Sequence, residues 1–171
     1  PDLNGVDNYF YNSNILSDVF SSGSGSLGVL MYATVAETAA AAGEGYLNPG
    51  LFFDNAPYMG LHFADNGARA LIYDGAWEEV VVPCSTNAWH FVQMRWDGIN
   101  LELRVDGGSW NPITCGTIGV MSGEIRSGYT YTGTNFFTGQ IAEIITINET
   151  WDNGTFNNIK SYLNDRYSLS L

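Results

Sequence analysis

The stretch of this chain with the most suggestive binding chemistry is residues 127–139, SGYTYTGTNFFTG, which is polar, rich in glycine and contains several aromatic side chains. Aromatic rings on an exposed loop can stack on the apolar faces of sugar rings, while amide and hydroxyl groups bind the sugar hydroxyls. Two tryptophans that flank predicted turns extend the same chemistry. The candidate ligand-binding residues are Tyr129, Tyr131, Asn135, Trp77 and Trp110. The alternative stays open that aromatics alternating with threonine and glycine form an ordinary strand whose rings belong to the core.

Groups for covalent catalysis are few. His62 and His90 are the only histidines, and no G-x-S-x-G elbow indicates a serine nucleophile. Cys84 and Cys115 are the only cysteines, and neither belongs to a C-x-x-C pair. A disulfide between them would close a loop of about 30 residues and contribute roughly 3.5–4 kcal/mol on the chain-entropy model. The alternative is two separate buried thiols.

Two further kinds of motif match do not indicate sites. GSGSLG (23–28) matches the G-x-G-x-x-G pattern of dinucleotide-binding loops, but that pattern needs a helix after it, and VLMYATV (29–35) is typical of a strand. The sequons at Asn148 and Asn153 matter only in a chain that a eukaryote secretes, and we interpret both as chance matches.

Length and composition indicate one well-packed β domain. The 171 residues are enough for a single core, 45% of them are hydrophobic and 14% are aromatic, and we expect one domain over residues 1–171. A formal net charge of −12 repels phosphate backbones and anionic lipid surfaces, which argues against nucleic acid as a partner. No apolar run approaches the ~20 residues that a membrane span needs, so membrane insertion is not expected. Because the chain begins at Pro1, we expect a processed chain or a segment of a longer one.

Strand-length runs alternate with turn dipeptides along the middle of the chain. The turn signals are Asn66-Gly67, Asp74-Gly75, Asp97-Gly98 and Asp106-Gly107. Strands are predicted at 27–35, 50–54, 59–64, 68–73, 77–83, 88–96 and 100–105. The short turns between the later strands favour an antiparallel meander. In 100–105, leucine and valine alternate with Glu102 and Arg104, which predicts one buried face and one solvated face.

The one convincing helix is predicted at the end of the chain, directly after the most apolar strand. Residues 140–148, QIAEIITIN, are mostly apolar on both faces, with Ile141 and Ile145 predicted to share one of them, so both faces need a covering layer. Asp152 is positioned as a helix N-cap, with Trp151 before it as an apolar staple. The apolar stripe that follows consists of Phe156, Ile159, Tyr162 and Leu163. We therefore predict a helix of ~11–14 residues that packs on the sheet.

Three stretches carry a resemblance to a known family. The C-terminal stretch reads GQIAEII (139–145), then a short turn, then a helix ending in YLNDRY (162–167). The centre reads WHFVQMRWDG (89–98) followed by NLELRVDG (100–107), and the chain opens with LNGVDNYF (3–10). Together these resemble the laminin-G-like members of the concanavalin A-like superfamily over nearly the whole chain. The resemblance implies an all-β fold, namely an antiparallel jelly-roll β-sandwich with one short C-terminal helix packed on a sheet.

The resemblance leaves function open, because such modules occur in lectins, adhesins, glycoside-active enzymes and phage virion proteins. Relatives that cleave glycans carry acidic residues two apart on one strand, which places both carboxylates on one face. No two acidic residues here have that spacing, and Glu78 and Glu79 are adjacent, so they point to opposite faces of a strand. A pair assembled from different strands stays open, while Glu143 matches a structural residue of the family. We expect no enzymatic activity, and a glycoside hydrolase or lyase is the least favoured alternative.

Calcium is the one cofactor that the resemblance suggests, since laminin-G-like relatives often hold this ion at the rim of a sheet. Asp54 and Asp65 are the candidate metal ligands, and Asn55 and Asn66 beside them supply further hard oxygen atoms. Against a calcium site, the four residues match no recognised loop pattern, and Asn66 is needed by a turn.

The sequence thus predicts a non-catalytic recognition module of a larger surface or virion protein, such as a phage tail or head fibre, that binds a glycan or a cell-surface receptor. Its expected location is extracellular or on the virion surface. The alternative is a structural decoration or assembly domain of a phage-like particle, which would bind other virion or surface-protein subunits and form a homo-oligomer.

Overall fold

The computed structural model describes residues 2–4, 10–12, 24–34, 49–53, 58–64, 67–73, 76–116, 125–127 and 138–171. The strands in this part of the chain are β1 (Asp2–Asn4), β2 (Phe10–Asn12), β3 (Gly25–Ala33), β4 (Pro49–Phe53), β5 (Tyr58–Ala64), β6 (Gly67–Tyr73), β7 (Trp77–Pro83), β8 (Trp89–Trp96), β9 (Asn100–Val105), β10 (Asn111–Thr114), β11 (Ile125–Ser127) and β12 (Thr138–Ile147). A single helix, α1, spans Asn153–Tyr167 in the same described ranges. No helix among these residues combines the length and the apolar composition that crossing a bilayer requires.

The strands form two six-stranded sheets. Sheet A has the order β1-β12-β3-β8-β9-β10, and sheet B has the order β2-β11-β4-β5-β6-β7. All the pairings between neighbours are antiparallel. Side chains of both sheets meet between them in the main core, which includes Val29, Leu61, Ile72, Met94 and Leu103. The predicted all-β sandwich of two stacked antiparallel layers is confirmed.

The prediction of one continuous meander was wrong at one point. Strands β4 to β7 follow one another in sheet B, whereas β8 to β10 follow one another in sheet A, so the chain crosses between the sheets in residues 84–88. Pro83 ends β7, and it has no N–H with which to continue a ladder. In the crossing, Asn87 adopts a φ of 59° and donates its backbone N–H to the Ala33 carbonyl at 2.8 Å. Residues 84–88, CSTNA, contain none of the predicted turn dipeptides, and the short length of this segment does not show that its flanking strands belong to different sheets.

Helix α1 covers the outer face of sheet A, as the apolar faces of β12 predicted. The helix begins where expected, because the Asp152 side chain accepts a hydrogen bond from the Thr155 N–H at 2.7 Å. The predicted staple, Trp151, is buried, and its ring centroid lies 6.0 Å from that of Phe91, which in turn lies 6.5 Å from that of Phe156. The buried residues of this helix cluster are Leu30, Phe91, Trp151, Phe156 and Leu163. The helix packed on a sheet is confirmed, and its 15 residues make it slightly longer than predicted.

Arg104 contradicts the prediction of a solvated face on β9. Its residue surface is only 3% exposed, because α1 and the segment before β10 enclose it. The guanidinium carbon lies 4.1 Å from the ring centroid of Trp110 and 3.9 Å from that of Phe156, and Nε donates a hydrogen bond to Gln93 Oε1 at 2.9 Å. Burial lowers the pKa of Arg104 to about 10, so the side chain stays protonated at neutral pH. The outer face of sheet A therefore holds a cation within an aromatic layer.

A β-bulge changes the alternation along β12. The cross-strand register with β3 skips Ala142 between Ile141 and Glu143. Beyond the bulge the two faces exchange parity. Ile141 consequently packs in the core between the sheets, whereas Ile145 packs against the helix cluster on the outer face. The prediction that Ile141 and Ile145 share a face was wrong, because an inserted residue leaves no mark on the apolar pattern.

Glu143 ties α1 to β12. Its two carboxylate oxygens accept hydrogen bonds from the hydroxyls of Tyr162 and Tyr167, each at 2.8 Å, and Arg166 Nε lies 3.6 Å from Oε2. Tyr162, which was predicted in the apolar stripe, is 41% exposed because its hydroxyl reaches this carboxylate at the edge of the contact. Both oxygens of Glu143 thus hold the helix in place.

Replacing Gly28 with alanine tests how closely α1 packs on sheet A. A Cβ atom at this position would lie 2.5 Å from Trp151 Cη2 and 2.6 Å from the Phe91 ring. Because neither ring can retreat without opening the helix cluster, we expect Gly28→Ala to lower the free energy of unfolding by about 1–3 kcal/mol. Urea unfolding measures the change.

The matched control is Gly154→Ala in the first turn of α1, where the added Cβ would meet nothing closer than 3.4 Å. Alanine is the better helix former, so this variant should be at least as stable as the wild type. Equal stability of the Gly28→Ala protein and the wild type would contradict the close packing.

Candidate functional site

Most of the predicted site residues lie outside the described residues. These are the candidate ligand-binding residues Tyr129, Tyr131 and Asn135 and the candidate calcium ligands Asp54 and Asp65. Trp77 and Trp110 are described, and the structure places them on different sheets. Trp110 lies just before β10, and its ring packs against the guanidinium groups of Arg95 and Arg104 at 4.2 and 4.1 Å. Trp77 begins β7 in sheet B and is 41% exposed, so it alone of the two presents a ring to a ligand.

Trp77 belongs to a patch on the outer face of sheet B, the face that points away from sheet A. On β6 and β7, Ala70, Ile72 and Val80 point into the core, so the alternate residues share the outer face. The β6–β7 patch consists of Arg69, Leu71, Tyr73, Trp77, Glu79 and Val81. Leu71, in the middle of the patch, is buried, while Trp77 and Val81 are exposed. The patch thus combines a buried aliphatic centre with an exposed edge along β7.

An aromatic pair occupies one end of the β6–β7 patch. Tyr73 and Trp77 are opposite each other in the register of β6 and β7, and their ring centroids are 5.1 Å apart with the planes inclined by 55°. This contact restrains the indole while leaving part of it open to solvent. A restrained, exposed indole can stack on the C–H face of a sugar ring without losing much conformational entropy.

A charged pair lies beside the aromatic pair. Arg69 Nη1 is 3.1 Å from Glu79 Oε2, and the two side chains are 14% and 49% exposed. Glu79 follows Trp77 by two residues on the same strand and the same face, which separates their Cα atoms by about 7 Å. The exposed Glu79 carboxylate can therefore accept hydrogen bonds from a ligand that rests on Trp77.

His62 adds no charge to this region at neutral pH. It lies opposite Arg69 in the register of β5 and β6, and it is buried. Burial first, and the positive charge of Arg69 second, lower the pKa of His62 to about 3. The imidazole is therefore neutral under physiological conditions.

A second cluster, which the sequence did not reveal, resembles a catalytic triad in its distances. His90 Nδ1 lies 2.7 Å from Asp106 Oδ2, and His90 Nε2 lies 3.2 Å from the Oγ of Ser85, which is exposed. The available signal was the pairing of β8 with β9. Because Val92 is opposite Val105 in this antiparallel pair, the next residue, Asp106, lies opposite Phe91 and next to His90.

The hydrogen bonds of His90 argue against a reactive serine. Its Nε2 also lies 3.0 Å from the Ser85 carbonyl oxygen, so an acceptor faces each ring nitrogen. The hydrogen bond to Asp106 raises the pKa of His90, which favours the imidazolium form. A general base needs a free lone pair on Nε2, and here a carbonyl oxygen, which can only accept, faces that nitrogen. Asp106 Oδ1 also accepts the Phe91 N–H at 2.8 Å, so the cluster acts as a clamp between β8 and two turns.

The cysteines do not supply a nucleophile. Cys84 and Cys115 form no disulfide, which confirms the alternative of two separate thiols, but only Cys115 is buried and Cys84 is partly exposed. Burial raises the pKa of Cys84 to about 11, so this thiol stays protonated at neutral pH. Within the described ranges, no three His, Cys, Asp or Glu side chains are grouped so as to hold a metal ion.

Solved structures share this architecture. The chain matches mouse laminin alpha1 chain domains LG4-5 with a TM-score of 0.63 and 13% identity, covering 88% of this chain and 43% of that one. It also matches the CBM40 of a Ruminococcus gnavus IT-sialidase, solved bound to alpha2,3 sialyllactose, with a TM-score of 0.62 and 10% identity over 94% and 97% of the two chains. The fold is the concanavalin A-like jelly roll.

A third structure with this jelly roll is the receptor-binding domain of botulinum neurotoxin C/D mosaic serotype. The TM-score is 0.70 at 10% identity, covering 94% of this chain and 42% of that one. The chain thus spans less than half of the laminin and toxin structures that it matches. No protein-family model matches the sequence, and the curated proteins gave no significant match. At these identities the likeness concerns the fold alone.

The His90–Asp106 pair predicts a stability contribution that is lost as pH rises above the unfolded pKa of histidine. The folded pKa of His90 is raised above the unfolded value of 6.5, so the contribution is fully present below pH 6.5 and disappears as pH rises through the folded pKa. We expect the wild type to lose more stability over this window than His90→Gln, as measured by urea unfolding at a series of pH values. Ser85→Ala should keep the wild-type dependence. Parallel curves for the wild type and His90→Gln would contradict the charged pair.

His62 predicts the opposite dependence in acid. Its folded pKa of about 3 is below the unfolded value of 6.5, so its contribution is present above pH 6.5 and is lost as pH falls from 6.5 towards 3. We expect His62→Gln to flatten the acid limb of a plot of unfolding free energy against pH. Carboxylates titrate in the same range in both proteins, so the comparison isolates the histidine. Identical acid limbs would show that His62 is not held neutral by burial.

Proposed function

We propose that this chain is a non-catalytic recognition module that binds glycans on the β6–β7 patch. The observation that carries the proposal is Trp77, an exposed indole restrained by Tyr73 and followed on the same face by the exposed carboxylate of Glu79. Stacking on an aromatic ring together with hydrogen bonds to hydroxyl groups is the general chemistry of sugar recognition.

Two further observations support binding rather than catalysis. In the one cluster with triad-like distances in the described part of the chain, an acceptor oxygen faces each ring nitrogen of His90, which argues against a general base. The jelly rolls that this chain resembles include a carbohydrate-binding module solved with sialyllactose and a toxin receptor-binding domain.

We also propose the setting of this module. Residues 1–171 would form one domain, since β1 pairs with β12 and both ends of the chain thereby join sheet A. The carrier would be a larger extracellular or virion surface protein. In support, the laminin and toxin matches contain this fold as less than half of a longer chain, and glycans are displayed on cell surfaces.

A structural role in a particle is the second candidate, and the exposed edge of sheet B favours it. Strand β7 ends sheet B, and Trp77 and Val81 on it are exposed, which suits contact with another subunit. Light scattering distinguishes the two roles. An assembly domain would form a defined oligomer that Trp77→Ala disrupts, whereas a recognition module would keep its mass in that variant.

A glycan array tests the proposed function. Trp77→Ala should lower the affinity for every bound glycan at least tenfold, about 1.4 kcal/mol, because the stacking surface is lost. Binding should be measured with added calcium and with a chelator, since Asp54 and Asp65 remain the candidate calcium ligands. The matched control is Tyr162→Ala, which removes an aromatic ring of equal exposure, 41%, from α1 on the sheet A side.

An array that stays blank for the wild type would overturn the proposal. Equal loss in both variants would also contradict it, because only one of the two rings lies on the β6–β7 patch.

A further inference from the structure

The charges of the β6–β7 patch indicate which class of glycan binds there. This inference rests on the proposed function. We infer that the patch binds neutral glycans and discriminates against glycans that carry carboxylates, such as sialic or uronic acids. The inference concerns the Glu79 side of the patch, whereas the proposed function depends on Trp77.

A sugar carboxylate is bound most strongly by a positive group that is not already neutralised. The described side chains of β5, β6 and β7 that can carry charge near neutral pH are His62, Arg69, Glu78 and Glu79. His62 is buried opposite Arg69 and uncharged. The Arg69 side chain is 14% exposed and its Nη1 lies 3.1 Å from Glu79 Oε2, so its charge is paired within the patch, while Glu78 points to the opposite face of β7. No cation among these side chains is left for a carboxylate ligand.

Arg126 lies on β11 of sheet B, four strands from β7, which is about 19 Å across the sheet and exceeds the Debye length of about 10 Å at 0.1 M salt. The other cations that the structure describes lie on the far side of the sandwich. Arg95 and Arg166 are paired with glutamates, and Arg104 is enclosed between two aromatic rings. Lys160 lies on α1. All four belong to sheet A or to the helix on its outer face, so their fields reach the β6–β7 patch only through the protein and are screened by salt.

Glu79 provides the contact that favours neutral glycans. Its side chain is 49% exposed and lies two residues after Trp77 on β7, on the same face. Hydroxyl groups of a neutral sugar stacked on Trp77 can donate hydrogen bonds to it, and bonds to an ionised acceptor are the stronger kind. A sugar carboxylate in the same place would face a like charge, which at about 4 Å in water corresponds to roughly a fivefold loss of affinity. The net charge of −12 adds a repulsion of the same sign.

Matched pairs of glycans test the inference. Lactose and alpha2,3 sialyllactose form one pair, and neutral oligosaccharides with their uronate-bearing counterparts form others on the same array. We expect the neutral member of each bound pair to bind at least about fivefold more tightly at low salt, and the ratio to shrink as salt rises. Glu79→Gln should reduce the ratio, because it removes the like charge from the patch. The matched control, Glu149→Gln, makes the same change in net charge at an exposed site on the sheet A side and should leave the ratio unchanged.

The outcomes separate the inference from the proposed function. If binding depends on Trp77 but acidic glycans are preferred, the inference is overturned and the recognition module stands. If Glu79→Gln and Glu149→Gln change the ratio equally, the discrimination arises from net charge rather than from the patch, and the inference is overturned as well. If no glycan is bound in a Trp77-dependent manner, the proposed function fails and the inference falls with it.

Discussion

The packing of α1 against sheet A through Phe91, Trp151 and Gly28 is the contact on which the rest of the structure depends. A helix of this length is marginal in water by itself and needs an apolar surface to dock on. Gly28 has no side chain, so the Trp151 ring can lie directly against β3 and stack with Phe91 on the neighbouring strand. Each fully buried aromatic contributes about 1.5–3 kcal/mol, so a few such side chains are enough to fix the helix. The molecule therefore has three layers, the helix, sheet A and sheet B.

This arrangement gives the two outer faces different roles. On sheet A, α1 and the C-terminal residues after it cover the aromatic side chains, and even Trp110 is held between cations at the edge of the helix cluster. On sheet B, the edge strand β7 keeps Trp77 exposed. Trp77 and Trp110 both lie beside turns in the sequence, but in the fold Trp77 is exposed and Trp110 is packed against two arginines. Which of them can meet a ligand is decided by the position of the helix.

Local features of the fold could be predicted from the sequence, and non-local ones could not. The strands at 77–83 and 100–105 and the N-cap at Asp152 were predicted correctly, because alternation and capping involve residues close in the chain. The crossing at 84–88, the bulge at Ala142 and the burial of Arg104 were missed, because each depends on what another part of the chain covers or pairs with.

The candidate site shows the same limit. Trp77 was identified by its type and its turn, whereas Tyr73 and Arg69 on β6 could be assigned to the same patch only after the register of β6 and β7 was known. The Ser85–His90–Asp106 clamp likewise needed the β8–β9 register. The binding roles of Tyr129, Tyr131 and Asn135 and the calcium roles of Asp54 and Asp65 stay predictions.

The scarcity of cations links the stability of this chain to its surface chemistry. The chain has 6 basic residues against 18 acidic ones, and each arginine whose side chain is described contacts either a glutamate or aromatic rings of the same chain. Arginine suits this use because its flat, weakly hydrated guanidinium stacks on rings and pairs with carboxylates at the same time. On the described part of β6 and β7, the exposed side chains are mainly a carboxylate and aromatic or aliphatic groups, which do not attract anions. This surface can still bind ligands that offer C–H faces and hydroxyl donors, because the exposed edge of sheet B presents an aromatic ring for the first and a carboxylate for the second.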